Sequence, residues 1–436
     1  MYNYSKRTIY SKAEDISFRK FIDCAGKKAV VLFGVGRYLP IAKKLLSGHG
    51  INPAYAVDNN FWKNGKCVDG IEIRSLDSLI SQALNENICV LICADDLFSI
   101  EHQLRQFGIK HIFALPLFID ELYKKDLYIN AEIPVGEAMA RNANEINIML
   151  ANKCNLRCSM CRHAQNSSGE VMSMERYLFI LEQCRDLRIM GSKLGNVRLD
   201  GNREALLHPE FNNILRETKS KGYKTRLVTN GVLLSDKSST ALTEYCSVVD
   251  ISVTGITPET YSHFQGSNSP DVTKQFNKVV KNVAELVKSK NCANSECKIN
   301  VSFIYSKHSA HEAKDAVFFW KSVGVDMFYL NPDTGEIASK LENANESEVE
   351  YHGYPHGAGM CVRRLTVASN GDVYPCCLPC GEYIPIGNCF DTPLSELLCS
   401  PEYFRLINGL ASLDRKRIPP GCRTCGVIAD IKSTVV

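Results

Sequence analysis

The sequence predicts an α/β protein of three parts: an N-terminal Rossmann-like α/β domain, a partial (β/α)6 TIM-like barrel and a small cysteine-rich C-terminal domain. Over 28–115 and again over 145–330, short apolar runs alternate with helical segments. That alternation is typical of parallel sheets with crossover helices. After residue 360 the regular apolar pattern fades while cysteines accumulate, which indicates a fold held together by metal.

The first part contains a glycine turn between its first strand and first helix. Gly34-Val35-Gly36 follows the apolar run 28–33, and Asp58 closes the second strand, 54–57. This arrangement suits a nucleotide-binding turn, although the third glycine of the fingerprint is missing and a plain tight turn also explains the pair. The remaining predicted elements are strands at 88–93 and 111–115 and helices at 40–46, 76–84 and 99–107.

A linker precedes the second series of strands. Six strand–helix units in about 190 residues predict an incomplete barrel, whose chemistry lies at the carboxyl ends of its strands. The predicted domains are 1–128, a linker at 129–144, the barrel at 145–335 and the C-terminal domain at 336–436. The predicted barrel strands are 145–150, 197–199, 225–229, 248–253, 298–303 and 327–330, with helices that include 209–221 and 271–288.

Composition excludes several function classes. A net charge of +3 is too small to indicate nucleic acid as a partner. No signal peptide and no apolar run of membrane-spanning length occurs, so we expect a cytoplasmic protein with no membrane partner. In that compartment, the 19 cysteines favour metal or redox chemistry over disulfides.

The segment ANKCNLRCSMCRH places Cys154, Cys158 and Cys161 just past the first barrel strand. Three thiolates at C-x3-C-x2-C spacing in one loop can ligate three irons of a cubane and leave the fourth iron open. The alternative is a structural zinc site. Such a site normally pairs two C-x2-C elements and has four ligands, which fits the uneven spacing poorly.

This motif resembles that of the radical S-adenosylmethionine (SAM) superfamily. The resemblance implies a [4Fe-4S] cluster whose open iron binds SAM, and cleavage of SAM to a 5′-deoxyadenosyl radical that removes hydrogen from a substrate. It also implies an external one-electron donor such as flavodoxin or ferredoxin. In such enzymes the cofactor does the difficult chemistry and the protein positions the parts.

Further segments agree with the resemblance. The family's second motif, usually Gly-Gly-Glu-Pro, is met by 201–205, where Glu204 is the expected ligand of the SAM amino group. Arg203 and Ala205 depart from that motif, and Thr254 replaces the family's usual Asp. The other expected SAM contacts are Met160 beside the adenine, Gly201, Asn230 at a strand end, and Ser252 and Thr254 near the ribose.

The C-terminal cysteines resemble the SPASM/twitch extension of radical SAM enzymes. Ile386 stands where a two-cluster domain has a further cysteine, so the resemblance implies one auxiliary [4Fe-4S] cluster. A zinc ribbon is the alternative, and Cys377 or Cys380 can replace Cys376 as a ligand. The expected ligands are Cys361, Cys376, Cys422 and Cys425.

Over 28–117 the chain is also similar to the nucleotide-sugar-binding domain of bacterial sugar acetyltransferases, on the segments VVLFGVG, YAVDNN and ICVLICADD. This implies a small-molecule substrate, with a nucleotide-linked sugar as the candidate and Gly34, Gly36 and Asp58 as its contacts. Epimerisation or dehydrogenation would follow. Epimerisation would need a hydrogen donor, for which Cys246 and Cys377 are the candidates, and dehydrogenation would send an electron to the auxiliary cluster. A maturase of a ribosomal peptide and a non-catalytic iron–sulfur scaffold are the alternatives, and nothing in the sequence fixes the oligomeric state.

Overall fold

A mainly parallel sheet forms the centre of each of the two units into which the chain divides, Met1–Glu132 and Ile133–Val436. The architecture comes from a computed structural model. It describes residues 20–36, 38–83, 87–94, 97–115, 145–161, 169–185, 187–189, 192–200, 203–266, 269–332, 343, 349–351, 364–374, 385–398, 400–403, 416, 422–423 and 429–431.

The first unit is a doubly wound α/β sheet. Its elements are β1 (Ala29–Phe33), α1 (Leu39–Gly48), β2 (Tyr55–Val57), β3 (Cys67–Val68), β4 (Ile71–Arg74), α2 (Leu76–Ala83), β5 (Ile88–Ile92), α3 (Leu97–Gln106) and β6 (Ile112–Ala114). The sheet order is β3-β4-β2-β1-β5-β6, and only the β3–β4 pair is antiparallel among these described strands. The strand order therefore reverses beside β1, where sheets of this kind open a crevice.

The second unit begins with a partial barrel. Its elements are β7 (Glu145–Ile148), α4 (Met174–Arg185), β8 (Arg188–Ile189), β9 (Ser192–Lys193), β10 (Asn196–Leu199), α5 (Phe211–Ser220), β11 (Lys224–Thr229), α6 (Asp236–Tyr245), β12 (Val248–Ser252), α7 (Pro258–Phe264), α8 (Val272–Cys292), β13 (Lys298–Tyr305), α9 (Ala313–Val323) and β14 (Met327–Pro332). Strands β7, β10, β11, β12, β13 and β14 are neighbours in that order, and each pair is parallel.

One face of this sheet packs against the helices. Val197 and Ile251 are fully buried and alternate with polar residues along their strands, and Leu227 on the strand between them is fully buried as well. A methyl group added at Gly231 would lie 3.1 Å from Ile251 Cγ2 and 3.3 Å from Val279 Cγ1 of α8. The apolar face therefore meets the helices, and the alternating polar residues point into the barrel.

The C-terminal segment extends the same sheet. It contains β15 (Val349–Tyr351), β16 (Arg364–Val367), β17 (Asp372–Tyr374), β18 (Gly387–Asn388), α10 (Leu394–Leu397) and β19 (Ala429–Ile431). Strand β16 pairs in parallel with β7, and β17 and β18 follow as antiparallel strands. Strand β7, the first strand of the barrel, is thus covered on its outer side by a strand from the C-terminal segment.

Helix α4 also holds this segment. The Gln183 side chain donates to Cys389 O at 2.9 Å and accepts from the Leu394 N–H at 2.8 Å. About two helical turns earlier, the Arg176 guanidinium lies 4.9 Å above the Phe390 ring, which is a cation–π contact. These contacts lie along one face of α4, because their positions are separated by seven residues, or about two turns.

The predicted fold class is confirmed, and all ten predicted strands are present. The hairpin of β3 and β4 was not predicted because β3 has only two residues. Its signal was Asp69-Gly70, which turns the chain with φ of 51° and 80°, as two-residue hairpin turns require. Among the described helices, none is both long and apolar enough to cross a membrane. The finer domain boundaries stay predictions.

Candidate active site

The loop after β7 carries the three cysteines of the predicted cluster motif. Cys154 is exposed, and Cys158 and Cys161 are half-buried. The pKa of Cys158 is raised to about 12, first by desolvation and then by the neighbouring Cys154 and Cys161. The three thiols therefore lie within electrostatic reach of one another.

Two N–H donors point at the sulfur of Cys154. The Leu156 backbone N lies 3.5 Å from Cys154 Sγ, and Asn230 Nδ2 lies 3.9 Å from the same atom. Hydrogen bonds of this kind support a thiolate ligand and tune the potential of a cluster. Asn230 stands at the end of β11, so the second barrel strand after the loop already contributes to the thiol site.

The donor set of the loop fits a cubane cluster. Such a cluster takes each protein thiolate on a different iron, so its ligands spread around it, whereas zinc draws four ligands to one point. Three separate, mutually interacting thiols on one accessible loop are the arrangement that a cubane needs.

Glu204, the predicted ligand of the SAM amino group, is buried behind this loop. Its Oε1 accepts from Thr229 Oγ1 at 2.9 Å and from the Leu206 N–H at 3.2 Å, and its Oε2 accepts from the Asn230 N–H at 3.0 Å. Desolvation raises the pKa of Glu204 to about 7, although these three hydrogen bonds lower it. A carboxylate has about four acceptor sites, so Oε2 can also accept an ammonium group.

Arg203 is a site residue that the sequence identified only as a departure from a motif. Its Nε donates to Asn152 Oδ1 at 2.8 Å, at the start of the cluster loop. Burial lowers the pKa of Arg203, and the charges of Cys161 and Cys154 raise it. The guanidinium is therefore close enough to influence the thiols. Its position next to Glu204 in the sequence was the one signal that could have identified Arg203 as a site residue.

The end of β12 holds two more predicted SAM contacts. Ser252 is half-buried, whereas Thr254 is fully buried. The Thr254 hydroxyl oxygen accepts from the Ile304 N–H at 3.3 Å, at the end of the next strand. Thr254 thus ties two strand ends together in addition to any contact with a ligand. Met160 is half-buried in the cluster loop, and Gly201 lies outside the described residues.

The barrel interior is polar and charged. Arg226 on β11 is hydrogen-bonded to Asp250 on β12, and Asn300 on β13 donates to Asp250 Oδ1 at 2.9 Å. Burial lowers the pKa of Arg226, but Asp250 and then Glu145 and Tyr329 raise it, so that it is raised overall. Side chains on β7, β11, β12 and β14 therefore lie within electrostatic range of one another inside the barrel.

Arg198 on β10 adds a second cation to this interior. Its guanidinium contacts Asp200 Oδ2 through Nε at 2.9 Å and Nη2 at 2.8 Å. Burial lowers the pKa of Arg198, while Asp200, Glu145 and Asp250 raise it. The interior thus offers both hydrogen-bond donors and acceptors, which suits a polar ligand rather than an apolar one.

Two amide oxygens in the interior have no hydrogen-bond partner within the described part of the chain. They are Oδ1 of Asn147 and Oδ1 of Asn300, and both side chains are fully buried. Each Asn still donates, because Asn147 Nδ2 contacts Thr366 Oγ1 at 3.2 Å and Asn300 Nδ2 contacts Asp250. A buried acceptor without a donor costs free energy, so a bound water or a ligand would supply the donor.

Cys246, predicted as a hydrogen donor, is not placed for that role. It lies at the amino end of β12, where its Sγ contacts Thr225 O at 3.3 Å. The cluster loop lies at the carboxyl ends of the strands, and the six residues from Cys246 to Ser252 span roughly 20 Å in extended conformation. The structure therefore contradicts this part of the prediction. Cys377, the other predicted donor, lies outside the described residues.

Of the four expected ligands of the auxiliary cluster, the structure describes Cys422, which is buried. Cys361, Cys376 and Cys425 lie outside the described residues. The glycine of this segment has a clear role: Gly371 has φ of +92°, and a methyl group there would lie 2.3 Å from the Phe390 ring and 2.6 Å from Asn388 Oδ1. The turn before β17 therefore packs so closely on the β18 turn that only glycine fits.

The N-terminal turn is brought together as predicted, but its carboxylate is engaged by the protein itself. Asp58 Oδ2 accepts from the Val35 N–H at 3.0 Å and from Lys63 Nζ at 2.8 Å, and its Oδ1 accepts from the Asn60 N–H at 2.8 Å. Gly34 has φ of +99°, and a methyl group there would lie 3.0 Å from Cys93 O. Gly36 belongs to the same turn. This geometry agrees with a tight turn fixed by Asp58.

Comparison with known proteins gives a domain and several relatives. The SPASM iron–sulfur cluster-binding domain matches residues 361–426. A GTP 3′,8-cyclase of Desulforamulus reducens is 24% identical over 270 residues, which are 60% of this chain and 77% of that protein. A tungsten-containing aldehyde ferredoxin oxidoreductase cofactor-modifying protein of Pyrococcus furiosus is 32% identical over 97 residues, 22% of this chain. That match spans about a quarter (26%) of the relative.

Among solved structures, Streptococcus suis SuiB bound to the precursor peptide SuiA is similar with a TM-score of 0.49 and 15% identity. The match covers 76% of this chain and 82% of SuiB. At this level of similarity, the likeness says nothing about the substrate.

Proposed function

Because this chain belongs to the radical SAM enzymes that carry a SPASM domain, we propose that Cys154, Cys158 and Cys161 bind a [4Fe-4S] cluster and that the barrel presents SAM and a small polar substrate to it. When bound, the cluster and SAM supply a one-electron cleavage that yields a 5′-deoxyadenosyl radical, which removes hydrogen from the substrate. An external one-electron donor such as flavodoxin or ferredoxin is part of the proposal. The role of the protein itself is to bind and orient SAM and the substrate and to exclude water.

The proposed SAM site rests on one observation, the continuous contact from Glu204 through Asn230 to Cys154. The Asn230 N–H donates to Glu204 Oε2 at 3.0 Å, and Asn230 Nδ2 lies 3.9 Å from Cys154 Sγ. A carboxylate beside a cluster ligand suits a substrate that carries an ammonium group next to the iron-binding atoms. We assign the SAM amino group to Glu204, its ribose to Ser252 and Thr254, and its adenine to Met160.

The substrate proposal rests on the polar barrel interior. Asn147 Oδ1 and Asn300 Oδ1 accept hydroxyl or amide protons, and Arg198 and Arg226 donate. A molecule rich in hydroxyl groups satisfies both kinds of group, because each hydroxyl donates and accepts. We therefore propose a sugar or a nucleotide-linked sugar that undergoes epimerisation or dehydrogenation. Two further points support it: the N-terminal sequence resemblance, and a curated relative whose name gives the nucleotide GTP as its substrate.

The C-terminal cysteines complete the proposal. Cys361, Cys376, Cys422 and Cys425 would hold one auxiliary [4Fe-4S] cluster by four thiolates, which favours electron transfer over substrate binding. Dehydrogenation releases an electron that such a group can accept. Epimerisation instead needs a hydrogen donor, and Cys377 is the remaining candidate thiol now that Cys246 is excluded by its position.

Anaerobic turnover tests the proposed function. The reconstituted protein is reduced with dithionite and incubated with SAM and, separately, with UDP-glucose, UDP-N-acetylglucosamine or GDP-mannose, and 5′-deoxyadenosine is measured. We expect one of the nucleotide sugars to raise its formation above the rate with SAM alone. Failure of all three, together with stimulation by a peptide encoded beside the gene, would replace the sugar proposal by peptide maturation. If the protein carries iron but never forms 5′-deoxyadenosine, it is a non-catalytic iron–sulfur scaffold.

A further inference from the structure

Strand β12 continues beyond its neighbour on one side. The β11–β12 pairing ends at Thr229 opposite Ile251, whereas the β12–β13 pairing continues to Ser252 and Ser302. The Val253 N–H then donates to Ser302 O at 3.0 Å. On the β11 side, residues 252–254 therefore extend past the last strand partner, and their backbone groups need another one.

The Gln265 side chain supplies that partner. Its Nε2 donates to Ser252 O at 2.5 Å, and its Oε1 accepts from the Thr254 N–H at 2.8 Å. A primary amide has one donor group and one acceptor group, so it reproduces the pairing that a neighbouring peptide unit would give. Gln265 is 3% exposed, and its own N–H donates to Tyr261 O as the C-cap of α7.

The same end of α7 holds the cluster loop. Ser159, between Cys158 and Cys161, donates from Oγ to His263 O at 2.5 Å, and its N–H donates to Phe264 O at 3.1 Å. The consecutive residues 263–265 thus contact the cluster loop through Ser159 and the free edge of β12 through Gln265. They connect the two elements between which SAM is proposed to bind.

We propose that Gln265 and Ser159 are positioning residues that fix the separation of the cluster loop from the end of β12, and so the fit of SAM between them. This inference rests on the proposed function. A ligand that contacts both elements is sensitive to their spacing, because a misplacement of about 1 Å at a reacting centre can cost about 100-fold in rate. Gln265 lies outside the motifs that predicted the SAM contacts, and Ser159 is a position of the cysteine motif to which no role was assigned.

The test is Gln265→Met, which keeps the length of the side chain and removes the amide. The matched control is Gln275→Met. Gln275 Nε2 donates to Tyr261 OH at 3.0 Å and to Gln265 O at 3.5 Å, so this change removes an amide from the same end of α7 and leaves the Gln265 side chain and its contacts with β12 in place. Each variant is assayed for iron per chain, for the KM of SAM in 5′-deoxyadenosine formation with dithionite, and for the SAM-dependent change in the EPR spectrum of the reduced cluster.

We expect Gln265→Met to keep its iron and to need about tenfold more SAM, for both KM and the EPR change, as the loss of one or two hydrogen bonds implies. Gln275→Met should match the wild type. A Gln265→Met protein with unchanged KM and EPR titration overturns the inference.

If Gln265→Met does not fold, Ser159→Ala and Ser159→Thr decide the matter. Threonine keeps the hydroxyl, so it should restore the SAM affinity that alanine loses. Equal SAM affinities in both variants and the wild type overturn the inference. Wild-type protein that carries the cluster and does not cleave SAM would instead overturn the proposed function, so the two failures are distinguishable.

Discussion

The two parallel sheets differ in how the polar groups around them are satisfied. In the first unit, Asp58 is bound by two backbone N–H groups and Lys63, and Asn59 and Gln103 pair reciprocally at 3.1 and 2.9 Å. In the barrel, the amide oxygens of Asn147 and Asn300 have no partner in the described ranges. Similar β/α architecture thus gives one carboxyl edge closed by its own side chains and one barrel interior with acceptors left over for ligands.

The largest expected effect is the loss of the cluster ligands. Replacing Cys154, Cys158 and Cys161 by alanine removes about four irons per chain, because one cubane loses all its protein ligands. We expect 5′-deoxyadenosine formation to fall to background. Iron analysis and product assay check this, with Cys292→Ala as control, since Cys292 is exposed at the end of α8. Unchanged iron in the triple variant would contradict the assignment.

Glu204→Gln is expected to raise the KM of SAM by about 10- to 100-fold, the cost of a lost charge-assisted hydrogen bond. The variant keeps the shape of the side chain and removes the charge that is proposed to face the SAM amino group. Titration of SAM-dependent 5′-deoxyadenosine formation measures the effect, with iron content as the control for folding. A KM equal to that of the wild type would contradict the assignment, and Glu204 would then only cap its local turn.

Asp58→Ala tests the closed edge. The change leaves two backbone N–H groups and Lys63 without their acceptor, so we expect local destabilisation of about 2–3 kcal/mol. Amide hydrogen exchange in peptides that cover β1 and β2 measures it, and SAM cleavage should be unaffected. If exchange is unchanged while affinity for UDP-glucose falls, Asp58 is a ligand contact and the contrast between the first unit and the barrel interior fails.

Asn147→Leu tests the open barrel interior and should have the smallest effect on stability. The change removes a buried acceptor that lacks a donor as well as one hydrogen bond to Thr366, so the two effects offset and the free energy of unfolding should change by less than about 1 kcal/mol. SAM cleavage without substrate should persist, while substrate-stimulated cleavage falls. Destabilisation as large as that of Asp58→Ala would mean that Asn147 serves the fold.

The sequence predicted the parts of the molecule that local pattern encodes. The apolar alternation predicted every barrel strand, and the spacing of Cys154, Cys158 and Cys161 predicted their shared loop. Gln265 and Ser159 could not be predicted, because their partners are separated from them in sequence and depend on where α7 ends. Cys246 was misjudged although the predicted strand 248–253 begins just after it, which already placed it at the amino end of that strand.

The pairing of β16 with β7 has a consequence for biosynthesis. Asn147 and Thr366, which meet across this pair, are 219 residues apart in the chain. At translation rates of 5–20 residues per second, β7 waits roughly 10–40 seconds on the ribosome before its partner is made. During that time its edge is open to other strands. Nascent chains that stop before β16 should therefore aggregate even though all six barrel strands have been synthesised.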